Sequence, residues 1–346
     1  MSKRTRNYWR ERFELLEKAQ HERTLFYYAD LERVYIETMR SLEADILRWY
    51  ERFAKSEGVT LDEAKRLLKT DELKEFRWSV EDYIKYGEKN AINQQWMRQL
   101  ENASSRVHIS RLESLKLQLQ QHVEKLYGDQ IQGFERLMKE VYQEQYYHTV
   151  YEVQKAFNVG FAFQALDETK LTKIISKPWT ADNLTFSAKI WRDRGLLINT
   201  LHKELTLAIA KGESPHRLIS VIQKKMNTSR SNAARLVLTE QAFFSASASK
   251  DAYTELAVER YEIIATLDSR TSDICQSMDG KVFKLSDFEP GITANPFHPR
   301  CRTTTAPYFE DDYSQRIARN LDGKTYYVPS NMKYEEWYQT QVEKHG

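Results

Sequence analysis

The sequence predicts a mainly α-helical protein with a small C-terminal α+β unit: long N-terminal helices come first, then short helices and a β-hairpin-containing motif. Three observations support this fold class. No proline occurs before Pro178, and proline disrupts the interior of a helix. Apolar residues in that stretch recur every three or four positions, which is the spacing of one helix face. After residue 258 the spacing changes to two, which is typical of strands.

Composition limits the classes of protein that fit. The chain has 346 residues, 41% of them hydrophobic and 29% charged, which suits about two domains with long solvated helical faces. A net charge of only +2 excludes a polycation, so contact with nucleic acid would need a local patch. No apolar run is long enough to span a membrane. Two cysteines are too few for a disulfide framework, which favours a reducing compartment.

Residues 1–177 are predicted to form an elongated α-helical region. One apolar stripe runs at helical spacing from Leu31 to Phe53. Thr60 lies three residues before Glu63, the spacing of a capping box that begins a helix. Aromatic and basic residues are interleaved with acidic ones, which favours packing over stacking on nucleic acid. Helix breaks are expected at four glycines: Gly58, Gly128, Gly133 and Gly160.

The rest of the chain divides into a second region, residues 178–312, and a peripheral C-terminal tail, residues 313–346. The second region is expected to contain shorter helices with clear ends. Ser214 before Pro215 is a good N-cap followed by proline at the first helical position. A separate helix is expected over residues 229–256, where small side chains would allow another element to approach closely.

An α+β motif is predicted over residues 258–308. Alternating residues from Tyr261 to Leu267 indicate a strand. The dipeptide Asp279-Gly280 is typical of a two-residue hairpin turn, and Val282 and Phe283 would begin the returning strand.

Both cysteines lie in this motif, with one histidine, in the order Cys275, His298 and Cys301. The spacing Cys-x22-His-x2-Cys can bring three zinc-type ligands from two loops to one ion. A structural zinc site uses four such ligands, and Ser272 stands where a Cys-x2-Cys pair would have its first thiol. Two outcomes remain open: no cofactor, with the cysteines buried for packing, or zinc held by these three residues with an oxygen from Asp273 or a water as the fourth ligand. The missing thiol favours the first.

A catalytic interpretation of the same residues is also open. Cys275 could act as a nucleophile with His298 as its base, and Asp268 or Asp279 could orient the imidazole. No nucleophile motif surrounds the cysteine, and no oxyanion site can be identified from the sequence, so a structural role is preferred.

Six further residues are predicted to hold the motif together, through ion pairs, caps and a turn. A carboxylate–guanidinium pair can lock the end of the strand, and a second arginine can pair with either nearby aspartate. A threonine can cap backbone donors, as can the neighbouring Ser272, and a glycine permits a positive φ. These residues are Asp268, Arg270, Thr271, Asp279, Gly280 and Arg302.

The segments LDSRTSDICQSMDGKVF (267–283) and GITANPFHPRCRTTTAPY (291–308) resemble a known signature. They are similar to the C-terminal part of phage head morphogenesis proteins, the Mu F-like minor capsid proteins of tailed phages. The shared pattern is Asp-x-Arg-Thr, a cysteine, Asp-Gly-Lys-Val-Phe and then Pro-x-His-Pro-x-Cys-Arg. The preceding helix resembles the family through Arg235, Thr239 and Glu240. Many members of the family have a cysteine where this chain has Ser272.

The resemblance covers about residues 215–308 and implies a non-enzymatic minor virion protein of a tailed phage or prophage, with 178–312 as its head-morphogenesis domain. The implied partners are the phage portal protein, scaffold and capsid proteins, with packaged phage DNA as a further contact and no membrane. The implied location is the host cytoplasm during assembly, then the virion, inside the head near the portal. Two alternatives stand beside it. One is a zinc- or cysteine-dependent hydrolase centred on Cys275 and His298, and the other is a zinc-stabilised DNA-binding accessory protein.

Overall fold

The computed structural model describes residues 6–53, 59–89, 93–106, 108–157, 160, 163, 165–309, 315–319 and 325–329. Over these residues the chain forms nine α-helices: α1 (Arg6–Phe53), α2 (Leu61–Lys65), α3 (Thr70–Lys89), α4 (Gln94–Ser105), α5 (Arg111–Phe157), α6 (Glu168–Ile175), α7 (Phe186–Ala210), α8 (Pro215–Glu255) and α9 (Asp273–Met278). The strands of the same residues are β1 (Arg260–Ile264), β2 (Val282–Lys284), β3 (Thr304–Tyr308), β4 (Gln315–Arg319) and β5 (Thr325–Pro329). The predicted fold class is confirmed: long helices come first and a small antiparallel sheet lies near the C-terminus.

The long helices bury the apolar stripes that the sequence indicated. On α1 the buried side chains recur at helical spacing: Leu31, Tyr35, Leu42, Ile46 and Trp49. On α5 they include Leu115, Leu119, Val123 and Leu126. The predicted capping box is confirmed, since the Thr60 side chain accepts a hydrogen bond from the Glu63 backbone N–H at the start of α2. The expected break at Gly58 lies outside the described residues.

Glycine has a different role in α5 from the predicted one. The helix continues through Gly128 and Gly133, so the expected breaks there are wrong. At Gly133 an added Cβ would lie 2.7 Å from Cε2 of Tyr27, a distance that real Cβ atoms do not adopt. This glycine therefore allows an aromatic ring of α1 to approach the α5 backbone. The break near Gly160 is confirmed, because α5 ends at Phe157.

Helix α8 is longer than the sequence indicated. It begins at Pro215, as predicted, and then continues for 41 residues to Glu255, where two separate helices were expected. The segment around Thr228 that was expected to separate them contains neither proline nor glycine. The Thr228 hydroxyl donates to the Lys224 carbonyl oxygen at 3.0 Å, which satisfies its hydrogen bond within the helix.

The sheet near the C-terminus has the strand order β2-β1-β3, and both pairings are antiparallel. In the central strand, Tyr261 lies opposite Phe283 on one side and Pro307 on the other. The antiparallel return through Val282 and Phe283 is thus confirmed. The pattern of β1 differs from simple alternation, because both faces of residues 261–264 are buried.

The connection between β1 and β2 is not the predicted two-residue turn. It contains α9, which begins because the Ser272 side chain accepts a hydrogen bond from the Cys275 backbone N–H. Asp279 is the C-terminal cap of this helix. Gly280 follows with a φ of +73°, the left-handed conformation that commonly ends a helix. The expected positive φ is therefore present, but it ends a helix instead of closing a hairpin.

The chain forms two compact units. The sheet unit comprises Met1–Phe26, Arg136–Lys177 and Arg235–Gly346, and the helical unit comprises Tyr27–Glu135 and Pro178–Ala234. The boundaries between them fall within α1, α5 and α8, apart from one between α6 and α7. In the predicted tail, β4 and β5 pair with each other in antiparallel register. Among the described residues, no helix is both long and apolar enough to cross a membrane.

Candidate functional site

Three segments of the sheet unit surround the predicted cysteine–histidine cluster: the turn that follows β1, the helix α9, and the loop that precedes β3. Capping by Ser272 fixes Cys275 on the first turn of α9. In the loop, the Cys301 backbone N–H donates to the His298 carbonyl oxygen at 3.2 Å. That turn contains Arg300 at a φ of +62°, so it brings two of the three predicted residues together locally.

The structure places all three predicted ligand residues in one cluster. Cys275 Sγ lies 3.2 Å from His298 Nε2 and 3.7 Å from Cys301 Sγ. The three possible ligand atoms lie within 4.8 Å of one another. Both thiols are buried, and Ala265 and Phe297 pack against them. We define these three residues as the Cys–His–Cys cluster.

The two thiols share their protons unequally. A hydrogen bond from Cys301 lowers the pKa of Cys275 to about 5, with further help from the Ser272 and Thr303 side chains. The same contact raises the pKa of Cys301 above its usual range. Cys275 is therefore the more acidic of the two thiols. A thiolate is the form of cysteine that binds metals and attacks electrophiles.

Asp268 was predicted to pair with Arg270, and also with Arg302, and it lies in the turn that follows β1. Asp268 accepts two hydrogen bonds from the Arg302 guanidinium, at 2.6 and 2.7 Å. This bidentate contact holds the pKa of Asp268 well below its usual range. Asp268 also caps the Arg270 backbone N–H at 2.9 Å, and the Thr271 hydroxyl donates to the Thr266 carbonyl oxygen. Arg302 is therefore the main partner, since the Arg270 side chain is exposed and lies 3.4 Å from the carboxylate.

Asp279 has partners other than the predicted Arg302 or His298. Its Oδ1 accepts from the Ala265 backbone N–H at 2.9 Å and lies 3.3 Å from the Arg10 guanidinium. The neighbouring Gly280 carbonyl oxygen accepts from Arg6 at 3.1 Å. This end of α9 is thus tied both to the sheet and to α1.

Residues 199–306 match the family model described as phage Mu protein F like protein. This region of the chain is Mu F-like. The predicted resemblance is confirmed, and the match begins earlier than the predicted residue 215, within α7. No curated protein and no solved structure matches the chain.

The Mu F-like region contains a buried charge that the sequence analysis missed. Glu262 on β1 is only 2% exposed, and its carboxylate lies 2.7 Å from Arg6 and 3.0 Å from Arg10. The signal was present, because an acidic residue between Tyr261 and Ile263 in a buried strand requires partners. Its partners lie more than 250 positions away in the sequence, outside the Mu F-like region, and no local pattern could identify them.

The same region lacks the catalytic arrangement expected of a cysteine hydrolase. His298 Nδ1 lies 2.8 Å from the Pro299 carbonyl oxygen, so neither Asp268 nor Asp279 orients the imidazole. The cavity beside Cys275 and His298 has a volume of about 30 Å³, which suits about one water molecule. Sites for small-molecule ligands are commonly several hundred Å³. The prediction that Asp268 or Asp279 serves as the third catalytic residue is wrong, and no finding supports the hydrolase alternative.

Proposed function

We propose that this protein is a minor structural protein of a tailed phage or prophage that acts in head morphogenesis. The observation that carries the proposal is the match of residues 199–306 to the Mu F-like family, which is a family of phage head morphogenesis proteins. The first signature segment lies inside that match, and the second lies inside it up to residue 306.

The construction of the site supports a structural role. Its polar side chains are engaged with each other: Arg302 with Asp268, Asp279 with Arg10, and Ser272 with the start of α9. The adjoining cavity of about 30 Å³ is too small for a polymeric substrate. Such a network stabilises one conformation of the loops, as an assembly protein with fixed contact surfaces requires.

The proposed partners are the portal protein, scaffold and capsid proteins of the same phage. Several large apolar side chains are exposed and available to a partner protein, among them Phe26, Trp78 and Leu267. Packaged DNA is a secondary contact in this proposal, because a net charge of +2 gives little general attraction to phosphate. The proposed location is the host cytoplasm during assembly and then the head interior near the portal.

Deletion of the gene from its own phage or prophage tests the proposal. We expect defective or DNA-free heads in electron micrographs, a loss of infectious particles, and rescue of both by a plasmid copy. We also expect the protein in purified procapsids, and copurification of the tagged full chain with the portal protein. Normal heads and normal titre from the deletion, with the protein missing from procapsids, would refute the proposal.

A further inference from the structure

We propose that Cys275, His298 and Cys301 bind one Zn²⁺ ion, and that a water molecule in the adjoining cavity completes its coordination. The ion would connect α9 to the loop before β3, within the Mu F-like region. The inference rests on the geometry of the cluster and does not depend on the proposed role in head assembly.

The spacing of the ligand atoms fits a tetrahedral zinc ion. Bond lengths of about 2.3 Å to sulfur and about 2.0 Å to nitrogen place neighbouring ligand atoms about 3.5 to 3.8 Å apart. The Cys275 and Cys301 sulfurs are 3.7 Å apart, and Cys275 Sγ lies 3.2 Å from His298 Nε2. With all three atoms within 4.8 Å, small side-chain movements suffice to surround an ion.

The histidine already has the hydrogen bond that a zinc ligand uses. A carbonyl oxygen only accepts, so the 2.8 Å contact between His298 Nδ1 and Pro299 O places the ring proton on Nδ1. Nε2 is then the ring atom available to a metal, and it lies 3.2 Å from Cys275 Sγ. Metal-binding histidines commonly donate their second ring nitrogen to a carbonyl or carboxylate in this way.

The sulfurs also receive hydrogen bonds of the kind that stabilise metal-bound thiolates. The side chains of Ser272 and Thr303 interact with Cys275, and backbone groups of Phe297 and Thr303 interact with Cys301. Ligands of a metal are typically oriented by such surrounding partners.

A fourth cysteine is not necessary for this site. Zinc is also held by three protein ligands with water in the fourth position. The cavity beside Cys275 and His298 holds about 30 Å³ and is lined by Ser272 and Thr303 among others, which gives room and polar partners for one water. Ser272 lies beside Cys275 at this cavity, so a thiol at position 272 would reach the open position.

The first test is metal analysis of the purified, reduced full chain after equilibration with Zn²⁺ and removal of the excess. We expect one zinc per chain, and two thiols that react with a thiol reagent only after a chelator is added. A chain that retains less than about a tenth of an equivalent overturns the proposal. The proposal is also overturned if Cys275 and Cys301 form a disulfide in protein purified without reductant, even when Zn²⁺ is present.

Variants then assign the ligands. Cys301→Ser and His298→Asn should each weaken zinc affinity by more than about tenfold, measured by competition with a chromophoric chelator. His216→Asn is the matched control, because His216 is exposed in the first turn of α8, and its affinity should equal that of the wild type. Zinc retained at full affinity by Cys301→Ser overturns the assignment, as does an equal loss in the control.

A gain-of-affinity variant tests the open position. Ser272→Cys should tighten zinc binding by about tenfold or more, because a thiolate replaces water. With Co²⁺ as the probe, its thiolate charge-transfer absorption should increase relative to the wild type. Ser277→Cys adds a thiol on an exposed position of the same helix and should change neither. Equal behaviour of the two serine variants overturns the placement of the fourth ligand.

Discussion

A single buried carboxylate, Glu262, connects the sheet to the first helix of the sheet unit. Moving such a charge out of water costs several kcal/mol, and here Arg6 and Arg10 offset that cost at 2.7 and 3.0 Å. The energetic consequence is asymmetric. Loss of the arginines leaves a buried charge without a partner, whereas loss of all three charges leaves an apolar contact.

The first prediction concerns the ion pairs of Glu262 with Arg6 and Arg10. The double variant Arg6→Ala/Arg10→Ala should lower the free energy of unfolding by roughly 2–4 kcal/mol, somewhat below the value for fully buried pairs because both arginines are partly exposed. Adding Glu262→Leu should recover most of that loss. Chemical denaturation of the full chain measures both. Arg33→Ala, which breaks an exposed pair with Asp30, should cost under about 1 kcal/mol. A triple variant no more stable than the double one would contradict the argument.

The second prediction concerns Glu17 on α1. Burial raises the pKa of this carboxyl from 4.5 to about 8, and its Oε1 accepts a hydrogen bond from Gln241 at 3.2 Å. Between these two pH values the folded chain holds a proton that the unfolded chain releases. The contribution of Glu17 to the free energy of unfolding is therefore at its highest below about pH 4.5. It decreases by about 1.4 kcal/mol per pH unit as the pH rises toward 8.

Glu17→Gln should remove that dependence, because glutamine resembles the neutral carboxyl in shape. We expect the variant to melt at a clearly higher temperature than the wild type at pH 8 and at a similar temperature at pH 5. Glu22→Gln, at an exposed position four residues from Lys18, should show no such pH-dependent difference. If the gap between Glu17→Gln and the wild type is the same at pH 5 and pH 8, the carboxyl is not protonated in the folded chain.

Sequence patterns identified which residues form the site, but they did not identify the local structure that holds those residues in place. Cys275, His298 and Cys301 lie together as their spacing indicated, and Asp268 pairs with Arg302. Ser272 caps a backbone donor as the sequence predicted, but the helix α9 that it begins was not predicted. That difference arises because a side-chain cap competes with a tight turn over a few residues, and the sequence alone does not show which one forms.

At the scale of secondary-structure elements, two glycines that both lie inside helices differ in what surrounds them. Gly133 in α5 faces Tyr27, and an added Cβ would lie 2.7 Å from the ring. Gly195 in α7 has nothing within 4 Å of the place where a Cβ would be. Both lie inside helices, so sequence propensity treats them alike, and only the packing distinguishes them.

The third prediction follows from this contrast. Gly195→Ala should stabilise the protein by about 0.5–1 kcal/mol, since alanine loses less backbone entropy in a helix. Gly133→Ala should destabilise it by about 1–3 kcal/mol, because overpacking displaces the ring or the helix. Thermal or chemical denaturation of the two single variants measures the difference. Two changes of the same sign would show that the Tyr27 ring moves aside at little cost.

The elements that were predicted well are those defined by long periodic patterns. Helices α1 and α5 extend over 48 and 47 residues, and the repeated apolar spacing indicated them. The six-residue α9 was missed because so short a helix depends on its cap and on the buried Cys275, not on periodicity. The length of α8 was also missed, because a polar segment alone does not end a helix.

At the scale of the whole molecule, the Mu F-like region is packed against residues that the family match does not include. Within the sheet unit, Tyr142 and Tyr146 of α5 donate to Asp251 and Glu255 of α8. The Gln145 side chain donates to Ser249 at 2.9 Å. Contacts of this kind join segments that are more than 100 positions apart, so one compact unit contains three separate stretches of the chain.

The last prediction is that residues 178–312, the proposed head-morphogenesis domain, do not fold stably without residues 1–177. Alone, this fragment would leave Glu262 without Arg6 and Arg10, and it would expose the α8 face that Tyr142 and Tyr146 cover. Circular dichroism should show a weak, broad thermal transition for the fragment and a cooperative one for the full chain. Coexpression with residues 1–177 should restore a cooperative transition, because the missing surfaces are then supplied in trans. Residues 1–177 carrying Arg6→Ala/Arg10→Ala should restore it less well. A fragment 178–312 that melts cooperatively within a few degrees of the full chain would instead show that its own core suffices.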